Sequence, residues 1–340
     1  MYTSPANPFQ QSGFKGTCQF PQITRGGLDD SWQHGADLYG VYHDMLGFLP
    51  DEIDETVSFR VTNNQITSQV ASMLIAGMYP STSSTHSTTA LHIQPPNTDS
   101  LEPQYPCPRA ASTYASYAVG STAANWTAHL NASKQLFAAL DGVSGIPPAS
   151  NDWHRSWDHY FDNLSARQCH GKGLPCSIND TAKCVAQEHA DAVYRLGQYE
   201  YSFIYRDSPA SLAASVASYG VWLAELAAHI RAVVAGKSQV LYRHNVAHDG
   251  SLARLLSVLQ VEEMVWVGMG SEVVFEVYGR KSSRAVYVRI LWGGKVLGSS
   301  SPSLKGGEED GGLVPVERFL GYLDGLVGVG AGRVRGLCGV

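Results

Sequence analysis

The stretch Gln239-Val240-Leu241-Tyr242-Arg243-His244-Asn245-Val246-Ala247-His248-Asp249-Gly250-Ser251-Leu252 decides how the rest of this chain is read. Residues 239–242 are β-branched and aromatic in character. A His-Asp pair and a glycine follow, and then Leu252, Leu255, Leu256 and Leu259 recur at helical spacing. The pattern predicts a strand, a tight turn and a helix. Such a turn sets an imidazole, a carboxylate and free backbone N–H groups at the carboxyl end of a strand. Open α/β sheets hold their ligand crevices there, and a helix start favours an anion. Taken alone, the same residues make a helix cap, with Asp249 accepting backbone N–H groups and His248 filling a corner. The choice between the two rests on the rest of the chain.

Composition narrows the classes. With 340 residues the chain can bury a large core, as two domains or as one domain with a sizeable insertion. Its net charge of −6, without a basic stripe, argues against a nucleic-acid partner. No window of uncharged apolar residues is long enough for a transmembrane segment. The six cysteines include no Cys-x-x-Cys pair, so a zinc ribbon or a thioredoxin-type site is unsupported. Asn-x-Ser/Thr triplets at Asn125, Asn131, Asn163 and Asn179, beside an even cysteine count, point to an oxidising secretory compartment. Yet the first fifteen residues lack the basic and apolar regions of a signal peptide. The true amino terminus is therefore expected upstream.

Outward from the opening stretch, strand, polar turn and helix recur. A helix pattern runs through Trp32, Leu38, Val41, Tyr42 and Met45 and stops at Leu46-Gly47-Phe48-Leu49-Pro50. Residues 58–62 alternate as a strand, Asn63-Asn64 form a turn, and 67–78 resume helical spacing. The segment 81–108 is rich in Ser, Thr and Pro and reads as loop. Helical stretches follow at 125–140, 153–164, 181–206 and 208–236. Beyond the His-Asp turn, 272–278 and 285–291 alternate as a hairpin, 293–312 form a loop, and 316–326 make a last helix. These elements predict an α/β core over 1–80 and 237–340 with a helical cap inserted at 81–236. The tail Cys338 is expected to tie the terminus to the core, with Cys18 as a plausible partner.

Several motifs now fall into one pattern. Cys18 precedes Ile23-Thr24-Arg25-Gly26-Gly27, and the helix ends in Leu46-Gly47-Phe48-Leu49-Pro50. The strand carries Arg60-Val61-Thr62, Asn63-Asn64-Gln65-Ile66-Thr67 follow, and the next helix closes with Gly77-Met78-Tyr79-Pro80. Last comes Ala247-His248-Asp249-Gly250-Ser251-Leu252. In these motifs the chain resembles the histidine acid phosphatases, in particular the lysophosphatidic acid phosphatase branch and its fungal relatives. The resemblance implies a phosphoglycerate mutase-like α/β core with a mixed sheet flanked by helices, plus the helical cap. It also implies hydrolysis of small phosphomonoesters through a phosphohistidine, with no cofactor and no metal, in a secreted or vacuolar protein. Carried over residue by residue, Arg60 is a phosphate clamp, His248 a second phosphate ligand, and Asp249 the acid that protonates the leaving alkoxide. The chemistry is coherent, because phosphoryl transfer depends on positioning and on positive charge around three oxygens. Without its motif context, Arg60 is an ordinary strand arginine with a carboxylate neighbour.

The chain also departs from that pattern. The nucleophile's Arg-His-Gly-x-Arg-x-Pro strand does not occur in these residues. Gln33-His34-Gly35-Ala36-Asp37 falls inside a helix pattern and lacks both arginines, so His34 is a poor substitute. Asn63, Gln65 and Ile66 replace the polar support expected behind Arg60. Losing a central strand would leave unpaired backbone groups at about 1–3 kcal/mol each, against a net stability of about 5–15 kcal/mol. The missing strand is therefore expected in a segment upstream of Met1, the other explanation being an amino-terminal arm recruited into an altered sheet. The alternative is an inactive relative that binds phosphate or lipid head groups. A serine hydrolase is weaker still, because Gly268-Met269-Gly270-Ser271 does not make a Gly-x-Ser-x-Gly elbow.

Overall fold

The computed structural model describes residues 23–80, 89–307 and 310–340. Cys18 and the amino-terminal arm lie outside these residues. The chain divides into two compact units, one holding Ile23–Ala111 and Ala210–Val340, the other Ser112–Pro209. The second is narrower than the 81–236 stretch read as a helical insertion.

The first unit opens with α1 (Arg25–Tyr39), whose N-cap Thr24 accepts the Gly27 N–H through its hydroxyl. A π-helical turn, Gly40–Met45, continues it. Next come β1 (Val57–Val61) and α2 (Gln65–Met78), the latter capped by the Asn64 side chain. Gly35 and Gly77 allow α1 and α2 to touch backbone to backbone. A Cβ would stand 2.0 Å from the Leu74 carbonyl oxygen at Gly35, and 1.9 Å from that of Trp32 at Gly77. Within 81–108 the structure also has β2 (Leu91–Ile93), a strand the loop reading passes over.

Six helices follow: α3 (Pro108–Tyr117), α4 (Ala124–Ala132), α5 (Lys134–Ser144), α6 (Asn151–His154), α7 (Asp158–Cys169) and α8 (Gln187–Ser202). The helical unit has its own core around Phe137, Leu140, Trp157, Tyr160, Leu164 and Val193, with the Phe137 and Trp157 rings stacked 3.9 Å apart. Each predicted helical stretch before residue 170 is broken in two, at Ser133 and at 155–157.

The chain then re-enters the first unit through α9 (Ser211–Val234). By length and composition α9 could cross a bilayer, yet 61% of its most apolar window is buried inside the protein. After it come β3 (Tyr242–Val246), α10 (Asp249–Val258), β4 (Val273–Gly279), β5 (Val286–Trp292), β6 (Lys295–Val296), β7 (Val314–Pro315), α11 (Val316–Val327) and α12 (Val334–Cys338). The strands form a parallel sheet in the order β2-β1-β3 and an antiparallel sheet built on the β4–β5 hairpin. The expected hairpin and the strand–turn–helix of the opening stretch are both present.

Side chains alternate across β1. Val57, Phe59 and Val61 are buried, and Phe59 packs with Leu38, Leu74, Ile75 and Met78 from α1 and α2. Ser58, Arg60 and Thr62 project from the other face. The expected Cys18–Cys338 link is corrected: Cys338 is bonded to Cys107, at an S–S distance of 2.03 Å. The short α12 brings the tail beside the start of α3, where Arg109 donates to the Gly336 carbonyl oxygen at 3.2 Å. A second disulfide joins Cys176 to Cys184.

Candidate functional site

The register of β1 on β3 sets Arg60 opposite Asn245 and Val61 opposite Val246, so both strands end at the same level. Pairing persists one step further, with the Thr62 N–H on the Val246 carbonyl oxygen. There Thr62 Oγ1 lies 3.1 Å from His248 Nε2. His248 is the N-cap residue of α10 and Asp249 its first residue; the Asp249 carboxylate accepts the Gly250 N–H at 2.7 Å. Asp249 is exposed. Its place in the first turn suits the positive end of the helix dipole.

Arg60 donates through Nη1 to Glu225 Oε2 at 2.8 Å, and through Nη2 to Asp99 Oδ1 and Ser100 Oγ, both at 2.9 Å. The Ser100 hydroxyl in turn donates to Glu225 Oε2 at 2.8 Å. Asp99 is 1% exposed and Arg60 15%. Arg60 Nε and Asp99 Oδ2 are buried with no hydrogen-bond partner among the described residues. Three residues on, Glu102 Oε2 stands 3.7 Å from His248 Nε2. The segment 99–102 therefore touches the guanidinium at one end and the imidazole at the other. Arg60 and His248 are drawn into one polar network at the carboxyl ends of two parallel strands, with Asp249 next in sequence.

The electrostatics qualify Arg60 as a clamp. Two carboxylates already face its single charge, so an anion must displace one of them or engage Nε. Arg243, on the same face of the next strand, is exposed and has no ion-pair partner among the described residues. His229, one turn beyond Glu225 on α9, is held below the usual imidazole range by the surrounding protein, then by Arg243 and Arg60, against the pull of Glu225. Burial raises the Tyr219 phenol beside this network.

His34 lies elsewhere. From α1 its Nε2 meets Glu272 Oε2 at 2.9 Å, which raises its pKa. It faces His244, whose ring lies 6.2 Å from that of Phe59, on the side of the sheet opposite Arg60. Burial, and then His34, push His244 down to about 4. Nearby Glu276 accepts from Tyr42, Tyr278 and Arg289 at 2.9, 2.9 and 2.6 Å. Among the described residues no three His, Cys, Asp or Glu side chains gather as a metal site. A groove of about 770 Å³ in the helical unit, lined by His129, Leu136, His189, Leu196 and Tyr199, contains none of the residues singled out above.

Asp99, Ser100, Glu102, Glu225 and Arg243 were not singled out in the sequence. Glu225 did leave a signal, as the one acidic residue in the long apolar α9; a lone carboxylate in such a helix needs a buried partner.

A family model described as the histidine phosphatase superfamily (branch 2) matches residues 4–292. Counting factor 60 of Dictyostelium discoideum is 26% identical over 279 residues, which cover 78% of this chain and 61% of that protein. The chain thus spans about three fifths of the length of that curated relative. Among solved structures, Klebsiella sp ASR1 phytase has a TM-score of 0.63 at 16% identity, over 93% of this chain and 89% of that one. The apo form of Hafnia alvei phytase gives 0.66 at 14% identity, over 97% and 91%. The phytase from D. castellii gives 0.55 at 15% identity, over 92% and 66%. At such identities the likeness is one of fold.

Proposed function

This chain belongs to the histidine phosphatase superfamily (branch 2), and from that premise we propose that its α/β unit binds phosphomonoesters at the carboxyl ends of β1 and β3 and serves their hydrolysis. The observation that carries the reading is the segment 99–102, which contacts both Arg60 and His248. In this reading Arg60 and His248 hold the phosphoryl oxygens, and Asp249 gives its proton to the departing alkoxide. The attacking imidazole forms a P–N bond as the P–O bond to the alcohol breaks, and water then releases phosphate. His34 does not serve as nucleophile, since Glu272 holds it on the opposite face. The scheme therefore needs an attacking histidine from an Arg-His-Gly-x-Arg-x-Pro strand, a motif that does not occur within these 340 residues. Two disulfides and the sequons support a secretory destination.

Calorimetric titration with inorganic phosphate or vanadate tests the binding half. Arg60→Lys, which keeps the charge but loses the fork, and His248→Asn are each expected to weaken affinity about tenfold, or 1.4 kcal/mol. Unchanged affinity in both variants overturns the assignment. For turnover, p-nitrophenyl phosphate at about pH 5 is expected to be hydrolysed only when the nucleophile-bearing strand is supplied ahead of residue 1. Asp249→Asn should then slow poor leaving groups most. Turnover by the 340 residues that His34→Ala abolishes would sink the scheme.

A second reading is a phosphate- or head-group-binding relative without turnover, since no motif within these 340 residues supplies the attacking histidine. Binding without hydrolysis after the strand is supplied would select it.

A further inference from the structure

The four Asn-x-Ser/Thr triplets all lie in the helical unit and none in the α/β unit. Their surroundings differ in ways that bear on modification. Asn125 and Asn131 are exposed at the two ends of α4. Asn179 is exposed in a bend within the short loop that the Cys176–Cys184 bond closes, and its neighbours Asp180, Thr181 and Ala182 are exposed too. The hydrogen bond recorded for it is through its backbone N–H, to Ser177 Oγ at 3.3 Å, so the side-chain amide is uncommitted. Asn163 is the opposite case. It is half-buried in the middle of α7, and its Nδ2 donates to the His159 carbonyl oxygen at 2.7 Å. The next residue, Leu164, is fully buried in the core of the unit.

We propose that Asn179 is an N-glycan acceptor and that Asn163, despite an intact triplet, is not. The group transferred is an oligosaccharide from a lipid-pyrophosphate donor of the secretory compartment. Asn179 Nδ2 forms a bond to the anomeric carbon as that carbon's bond to the pyrophosphate oxygen breaks. The lipid pyrophosphate leaves with the electron pair, and the amide loses one proton. A bend that keeps the amide in water lets the folded loop carry a bulky hydrophilic group without loss of packing. At Asn163 the same group would press on an amide already used by the helix and on the packing around Leu164. The two disulfides among the described residues independently support maturation in an oxidising compartment, the kind in which such donors are found.

The test uses the full chain translated into microsomes behind a supplied leader, so it does not depend on the native route or on export. Luminal protein is treated with an amidase that removes N-glycans in heavy-oxygen water, which converts each glycosylated asparagine to an oxygen-labelled aspartate, and peptides are read by mass spectrometry. The expected result is label at position 179 and unmodified asparagine at 163. Thr181→Ala should remove one glycan-dependent mobility step on a gel, and Ser165→Ala should leave mobility unchanged. Label at position 163, or luminal chain with Asn179 unlabelled, overturns the proposal.

Discussion

The two faces of the β1–β3 layer sit one residue apart in sequence and solve opposite problems. On one face the Arg60 guanidinium is paired directly with Glu225 and Asp99, which lie 165 and 39 residues away in sequence. On the other, Phe59 packs into the core of α1 and α2, and the imidazole beside it, His244, is kept neutral by burial. One face thus pairs its charge, and the other gives its charge up. In the proposed reading an incoming phosphate meets Arg60 only by displacing one of these carboxylates or by engaging Nε.

The sharpest way to break this contrast is to remove a carboxylate from the Arg60 face. Asp99→Ala leaves a guanidinium that is 15% exposed short of one of its two counter-charges. It is expected to cost about 3–5 kcal/mol, as for other broken buried pairs, measured by urea unfolding. Glu225→Gln, which keeps an acceptor for Nη1, should cost less. A loss under about 1 kcal/mol for Asp99→Ala would mean that Arg60 relaxes into water and that the pairing is incidental.

The opposite face answers to pH. His244 titrates near 4 when folded and near 6.5 when unfolded, so between those values the unfolded chain binds more protons. Its contribution is fully present above 6.5 and is lost as pH falls toward and through 4. The shift corresponds to about 3 kcal/mol at most. His244→Phe should flatten stability against pH across that window, whatever it does to absolute stability. An unchanged slope would show that this face is wetter than its packing implies.

What the sequence revealed follows from how local each signal is. The turn at 247–250 and the hairpin at 272–291 are legible because spacings of two and 3.6 residues are written over a dozen positions. Arg60, His248 and Asp249 are legible as motif positions. The residues that decide how Arg60 behaves are not, because Asp99 and Glu225 reach it only through the tertiary fold. Asp99 sits in a stretch whose Pro and Thr content reads as loop and hides β2. The long helix α9 is apolar on nearly all sides, and such a helix looks alike whichever unit buries it. Cys338 shows the same limit, since nothing in a spacing of 231 residues favours Cys107 over Cys18.

The smallest expected effect refines the comparison within the face that carries His244. The raised pKa of His34, caused first by its bond to Glu272, gives a slope opposite in sign to that of His244. Its contribution is complete below 6.5 and is lost as pH rises through the elevated folded value. Both partners are about a quarter exposed, so Glu272→Gln should cost only about 0.5–1 kcal/mol, and only on the acidic side. Thermal unfolding of this variant at a series of pH values separates two causes for the position of His34. A pH-dependent loss means the ion pair holds α1 to the start of β4. A loss equal at every pH would mean that α1 is set by the Gly35–Gly77 backbone crossing alone, leaving the imidazole merely adjacent to a carboxylate.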